Sequence, residues 1–291
     1  LEEQLDRGRK LDALTGGISN EKIKALSEGP EKKALEAKVK ILKGVHEAYK
    51  EQVASACVVS NRVYISSIAD GNRKSGKLGV GYGGSKDKIG PEFGFGLSVA
   101  KKIDGPILLI KTSWGGKSLN YNFRPPSAGT YTLSEKEKAS GKADEIKKNA
   151  GLNYRMMNEA IRKVLEDLGS HHPGYESDAG YEIAGFVWFQ GFNDQFSPEF
   201  RDNYKDNMIA FIKDVREEYE VPQMPFVIGV LGTGVTAEKV AENQVSVAQR
   251  EAARLLGSKN GVAAVESYTG YSLYSNKVFQ KGWPQHFHEW D

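Results

Sequence analysis

The sequence predicts an α/β fold of three layers, with a parallel sheet between helices. Three observations carry this reading. Four short runs are apolar throughout, Ile107–Lys111, Ile183–Phe189, Phe226–Leu231 and Val262–Val265. Strands buried on both faces look like this, whereas half-exposed strands alternate. Between the runs lie stretches with helical periodicity. Polar, glycine-containing segments follow the first two runs, as expected at the carboxyl ends of strands in open α/β sheets.

The elements follow in chain order. Residues 1–52 are charged and helical in character, and form an N-terminal helical extension to the 53–291 domain. Within it, Ala34 to Gln52 carries Leu35, Val39, Leu42, Val45 and Tyr49 on one stripe. His46 lies off that stripe and is expected to be exposed. Val58–Ile68 is rich in β-branched residues, and a glycine-rich loop is expected over 71–90. Pro91 stands where a helix begins, at a position whose missing N–H costs nothing. Residues 127–150 are rich in Lys, Ser and Gly and read as an insertion. A helix is expected over Leu152–Leu168. Ser197 and Pro198 mark the start of another, with Phe200, Tyr204, Met208, Phe211, Val215 and Tyr219 on one buried face. A last helix is expected over about Ala237–Leu256.

Composition narrows the function classes. The chain has 291 residues, 39% apolar and 27% charged, and can bury a large core without staples. Its net charge of +2 gives no reason to expect nucleic acid or an anionic membrane as partner. No run is long and apolar enough to span a bilayer. The one cysteine, Cys57, has no internal disulfide partner and reads as a small buried hydrophobe.

Two segments carry the chemistry. One is Thr112-Ser113-Trp114-Gly115-Gly116-Lys117-Ser118; the other is Gln190-Gly191-Phe192-Asn193-Asp194. Glycines after a strand expose N–H donors, and an amide side chain on the neighbouring strand end adds another. Such converging donors stabilise an oxyanion, and losing one costs about 3–4 kcal/mol of transition-state stabilisation. The candidates are Gly115, Gly116, Gln190 and Asn193.

The stretches 107–119 (ILLIKTSWGGKSL) and 186–194 (FVWFQGFND) resemble the second and third conserved blocks of sialate O-acetylesterase-like domains, a branch of the SGNH/GDSL hydrolases. Residues 191–194 also satisfy the Gly-x-Asn-Asp form of broader SGNH hydrolases. Phe192 stands where that branch usually has Glu, which leaves the carboxylate role of that block unfilled. The resemblance implies SGNH topology, a flavodoxin-like strand order, and a serine carboxylesterase that removes acetyl groups from carbohydrate without a cofactor or metal. It implies an acetylated carbohydrate as partner and an exported protein. It assigns the oxyanion to Gly116 or Gly115 and to Gln190, or to Asn193 if the general form governs.

The serine that the resemblance requires, in a Gly-Gln-Ser-Asn-like turn after the first strand, has no counterpart. Ser19 precedes an Asn but follows no apolar strand. The four apolar runs then match the outer strands of a five-stranded sheet whose central strand is absent, which would split its core. Both ends of the chain read as cut, and the natural protein is expected to begin upstream of Leu1. Alternatively, Val58–Ile68 supplies the fifth strand in a rearranged sheet. His288, beside His286, stands in the region of the family's general base. His171 and His172 precede Pro173-Gly174 and read as a solvated loop.

Gly79, Gly81 and Gly84 match Gly-x-Gly-x-x-Gly but open no helix, so the dinucleotide reading fails. Tyr82, Trp114, Tyr121, Phe123 and Arg124 could line a sugar cleft or simply pack. The rival reading is a non-catalytic carbohydrate- or partner-binding relative, favoured by the missing serine and by Phe192. A flavodoxin-like nucleotide binder would need a phosphate loop after the first strand, and none is visible.

Overall fold

The computed structural model describes residues 26–37, 40, 44, 58–70, 72–86, 88–233 and 236–270. The protein is of the α/β class, but its strands form two sheets rather than one. In the first, β1 (Val63–Ala69) lies between β2 (Asn72–Lys77), antiparallel, and β3 (Ile107–Ser113), parallel. In the second, β4 (Phe186–Trp188), β5 (Phe226–Val230) and β6 (Val262–Glu266) run parallel in that order. No ladder among the described residues joins β3 to β4, so each keeps one unpaired edge. The rearranged single sheet is not seen among the described residues, where β1 pairs with β3 and no ladder reaches β4.

Several local expectations are corrected. The glycine-rich stretch after β1 holds β2, whose sequence NRKSGK carries no apolar signal. Its pairing with β1 makes it a strand regardless of propensity. The run at 183–189 is strand only over β4, which has a partner on one side alone.

Helix α1 (Pro91–Val99) has Pro91 in its first turn, as expected. The 127–150 stretch holds the short helices α2 (Glu135–Ala139) and α3 (Ala143–Asn149). It is anchored by buried Tyr131 and Leu133. Ser134 caps α2 in a full capping box with Glu137.

The helix expected over 152–168 divides into α4 (Leu152–Leu165) and α5 (Leu168–His171). His172 follows α5 and is buried, not solvated. Its Nε2 lies 3.2 Å from the carbonyl of Arg62, and its Nδ1 accepts from the Gly174 N–H. Helix α6 (Pro198–Glu218) starts at Pro198, although the Ser197 side chain makes no capping bond. The expected last helix breaks at Asn243 into α7 (Ala237–Glu242) and α8 (Gln244–Leu256). Asn243 takes extended backbone, and its side chain accepts from the Ser246 N–H, so it caps α8.

The main core is built on α6. Tyr204, Met208, Phe211 and Val215, the middle of the predicted stripe, are fully buried against β5 and α8. Two smaller clusters lie under the first sheet, one of them Val63, Ile65, Leu78 and Tyr82. Of the N-terminal extension, residues 30–37 are helical; the rest of the Ala34–Gln52 stripe, with His46 and Cys57, lies outside the residues whose placement is described, apart from residues 40 and 44. No helix among the described residues is long and apolar enough to cross a membrane.

Candidate active site

The segments after β3 and β4 meet although the strands themselves do not pair. One buried carboxylate holds them together. Asp194, fully buried, accepts the Leu119 N–H on both oxygens (3.0 and 2.9 Å), the Asn120 N–H at 3.0 Å and Gln190 Nε2 at 2.7 Å. Burial lifts its carboxyl to about 6. The hydrogen bonds from Gln190, Asn120 and Leu119 pull the other way because they favour the charged form. Gln190 adds a second tie, since its Nε2 also donates to the Lys117 carbonyl at 2.9 Å.

The β4 end is fixed from below by a buried polar network. The Tyr204 hydroxyl donates to the Gln190 carbonyl at 2.9 Å and receives Trp188 Nε1 at 3.3 Å. Gln249 Nε2 donates to the same carbonyl at 2.7 Å, while its Oε1 accepts the Leu231 N–H at 2.7 Å. Burial, reinforced by the charge of Asp194, pushes the Tyr204 phenol far above its usual range, so it stays a neutral donor. Every polar atom named here has a partner, which is the condition for such a network to be rigid.

The four candidate donors divide into two that are engaged and two that are open. Gly115 N–H donates to Asp70 Oδ2 at 3.2 Å. Gln190 Nε2 is taken by Lys117 and Asp194. Gly116 is exposed and adopts φ 70°, the left-handed conformation that glycine permits. A Cβ at Gly116 would stand 3.8 Å from Asn193 Nδ2, so the Asn193 amide lies on the side-chain side of Gly116. Among the described residues, neither the Gly116 N–H nor the Asn193 amide has a hydrogen-bond partner. Two open donors on neighbouring strand ends can accept one developing negative charge.

The other predicted residues are placed differently. Trp114 is half-buried and packs at the seam of the two sheets, 5.9 Å from the Phe123 ring, which in turn meets Trp188 at 5.2 Å. Tyr82 is 6% exposed and belongs to the core under the first sheet, with Lys74 Nζ 4.5 Å from its ring centre. Arg124 is occupied by the 125–130 turn: Nε donates to the Gly129 carbonyl and Nη2 to that of Ala128. Burial lowers its pKa. Tyr121 donates to the Ile146 carbonyl and Phe123 is buried. These five residues build the fold around the site rather than an open sugar cleft.

His288, His286 and Ser19 lie outside the described residues. Among the described residues, the Ser–His hydrogen bond present is Ser75–His171, away from Gly116 and Asn193. No group of three His, Cys, Asp or Glu among them is placed to hold a metal. Sequence reasoning missed Asp194 and Asp70 as the carboxylates that set the site. The signal for Asp194 is the last position of the Gly-x-Asn-Asp string.

The loops after β3 and β4 thus bring two open donors, the Gly116 N–H and the Asn193 amide, to the same end of the two sheets. A family described as "carbohydrate esterase, sialic acid-specific acetylesterase" matches residues 43–273, and the chain belongs to that family. Among solved structures, a protein from Arabidopsis thaliana is similar at 19% identity and a TM-score of 0.46, over 76% of this chain and 74% of its own. A carbohydrate acetylesterase from Xanthomonas citri is similar at 14% identity and a TM-score of 0.49, over 74% of this chain and 45% of its own. No curated protein matches the chain.

Proposed function

We propose that the protein hydrolyses acetyl esters on carbohydrate, with an O-acetylated sialic acid as the preferred substrate. Membership of the esterase family supports the reaction class. The observation that carries the site assignment is the nearness of Gly116 to the Asn193 amide after β3 and β4, with neither the Gly116 N–H nor that amide bonded among the described residues. In this reading they bind the carbonyl oxygen of the acetyl group as it becomes an oxyanion. Gln190 is a positioning residue, because its amide is already given to Lys117 and Asp194.

The reaction needs a serine and a histidine beside these donors. The unpaired edges of β3 and β4 both end at them. An extended segment seated between those edges would deliver the residue at its carboxyl end to Gly116 and Asn193, which is where a nucleophile has to stand. The proposal places the serine on such a segment, and takes His288 as the general base that receives its proton. No metal or organic cofactor enters this scheme.

The second reading, a carbohydrate-binding relative without catalysis, is favoured by Phe192, which fills the place of an expected carboxylate. Acetate release separates the two. The esterase reading expects the protein to liberate acetate from O-acetylated sialic acid faster than from acetylated xylan. Faster release from xylan would correct the substrate. Binding of either sugar without acetate release would establish the second reading instead.

A further inference from the structure

A cavity of ≈ 190 Å³ lies between the β1–β2 hairpin and helices α4 and α5, outside the site described above. The strand register explains its chemistry. Ser66 pairs with Ser75 and Ile68 with Arg73, so these four side chains share the sheet face that looks toward α4. Ile68 and Val164 are buried and form an apolar floor. Over it runs a polar chain: Ser66 is 3% exposed, its Oγ lies 3.2 Å from Ser75 Oγ, and Ser75 Oγ lies 3.0 Å from His171 Nδ1. Arg73 from the hairpin and Lys163 from α4 close the rim.

The charge at this rim is one-sided. No ion pair among the described residues engages Arg73. Lys163 pairs with Glu159, one turn back on its own helix. That hydrogen bond and the charge of Lys163, with a further contribution from Arg73, hold the exposed Glu159 carboxyl below its usual range. Both cations line the one cavity, and Glu159 is the carboxylate that Lys163 pairs with there. A guanidinium fork and an ammonium converging there suit an oxyanion better than a neutral ligand.

We propose that this cavity binds a small molecule carrying a carboxylate or phosphate group. Arg73 and Lys163 take the anion in exchange for Glu159. Ser75 and His171 hydrogen-bond the body of the ligand, and one face of that body rests on Ile68 and Val164. The site does not depend on the esterase reading.

Titration of the protein with inorganic phosphate, glucuronate and glucose, followed by the ring Cε1–H resonance of His171, tests it. Phosphate and glucuronate are expected to shift that resonance saturably, and glucose to leave it unmoved. Tighter binding of glucuronate identifies a sugar acid that uses the apolar floor; tighter binding of phosphate identifies a phosphate group as the feature recognised. Arg73→Ala combined with Lys163→Ala is expected to weaken anion binding about tenfold or more, a loss equivalent to about 1.4 kcal/mol. Glu159→Gln is expected to strengthen it, a gain that a misfolded variant cannot show. Absence of any shift with either anion overturns the proposal. So does a Glu159→Gln variant that binds no more tightly than the wild type.

Discussion

At the scale of single residues, the site is defined by which polar atoms are already engaged. Gly116 and Asn193 were legible as candidates because a glycine pair and a Gly-x-Asn-Asp string follow apolar runs. Gly115 stood as the alternative to Gly116, and Gln190 as the donor under the branch pattern, and no sequence signal shows that both are already engaged. Their engagement depends on Asp70, Lys117 and Asp194, contacts across 45, 73 and 4 residues respectively. Asp194 also sets a pH dependence. Its carboxyl is lifted by burial from 3.8 to about 6, so the folded state binds its proton more tightly than the unfolded chain. The stability this group contributes is full below pH 3.8 and is lost as the pH rises through about 6. At about 1.4 kcal/mol per unit, the loss amounts to a few kcal/mol. Asp194→Asn removes that titration. In urea denaturation, the wild type is expected to lose stability relative to Asp194→Asn between pH 4 and pH 7. A constant difference across that range would show that Asp194 titrates normally in the folded protein.

At the scale of elements, the sequence was most legible where burial is complete. The α6 stripe and the β5 run stand close to where the apolar pattern placed them, since each presents an unbroken apolar face to the main core. Elements made by pairing alone were not legible. The polar strand β2 exists because β1 offers it an edge, and the break at Asn243 is a local cap within a continuous helical pattern. The packing of the second sheet has one position without tolerance. A Cβ on Gly229 of β5 would stand 2.1 Å from a ring carbon of Phe189, the residue just after β4. The Phe189 ring has to shift to make room for it. Gly229→Ala is therefore expected to destabilise the fold by about 1–3 kcal/mol, as overpacking does. Chemical denaturation measures this. A variant as stable as the wild type would mean that the Phe189 ring has room to move.

At the scale of the whole molecule, the two sheets are joined among the described residues through loops and side chains rather than through a ladder. The Asp194 clasp, the Gln190 tie and the Trp114–Phe123–Trp188 ring contacts span the seam. The α/β class and the parallel pairing of β4, β5 and β6 were legible from the apolar runs, whereas the pairing of β3 with β1 was not. The seam itself was not legible, because a gap between unpaired edges leaves no pattern of its own. The two open donors lie at the carboxyl end of that seam, and the proposed esterase depends on them. The most direct measurement of this account is the kcat for acetate release from O-acetylated sialic acid by the wild type and Asn193→Ala, with the thermal midpoint of each. The account predicts a fall in kcat of about 100- to 1,000-fold at an unchanged midpoint, because Asn193 donates to no group of the folded protein described here and is left free for the oxyanion. An Asn193→Ala variant that keeps the wild-type kcat would contradict it.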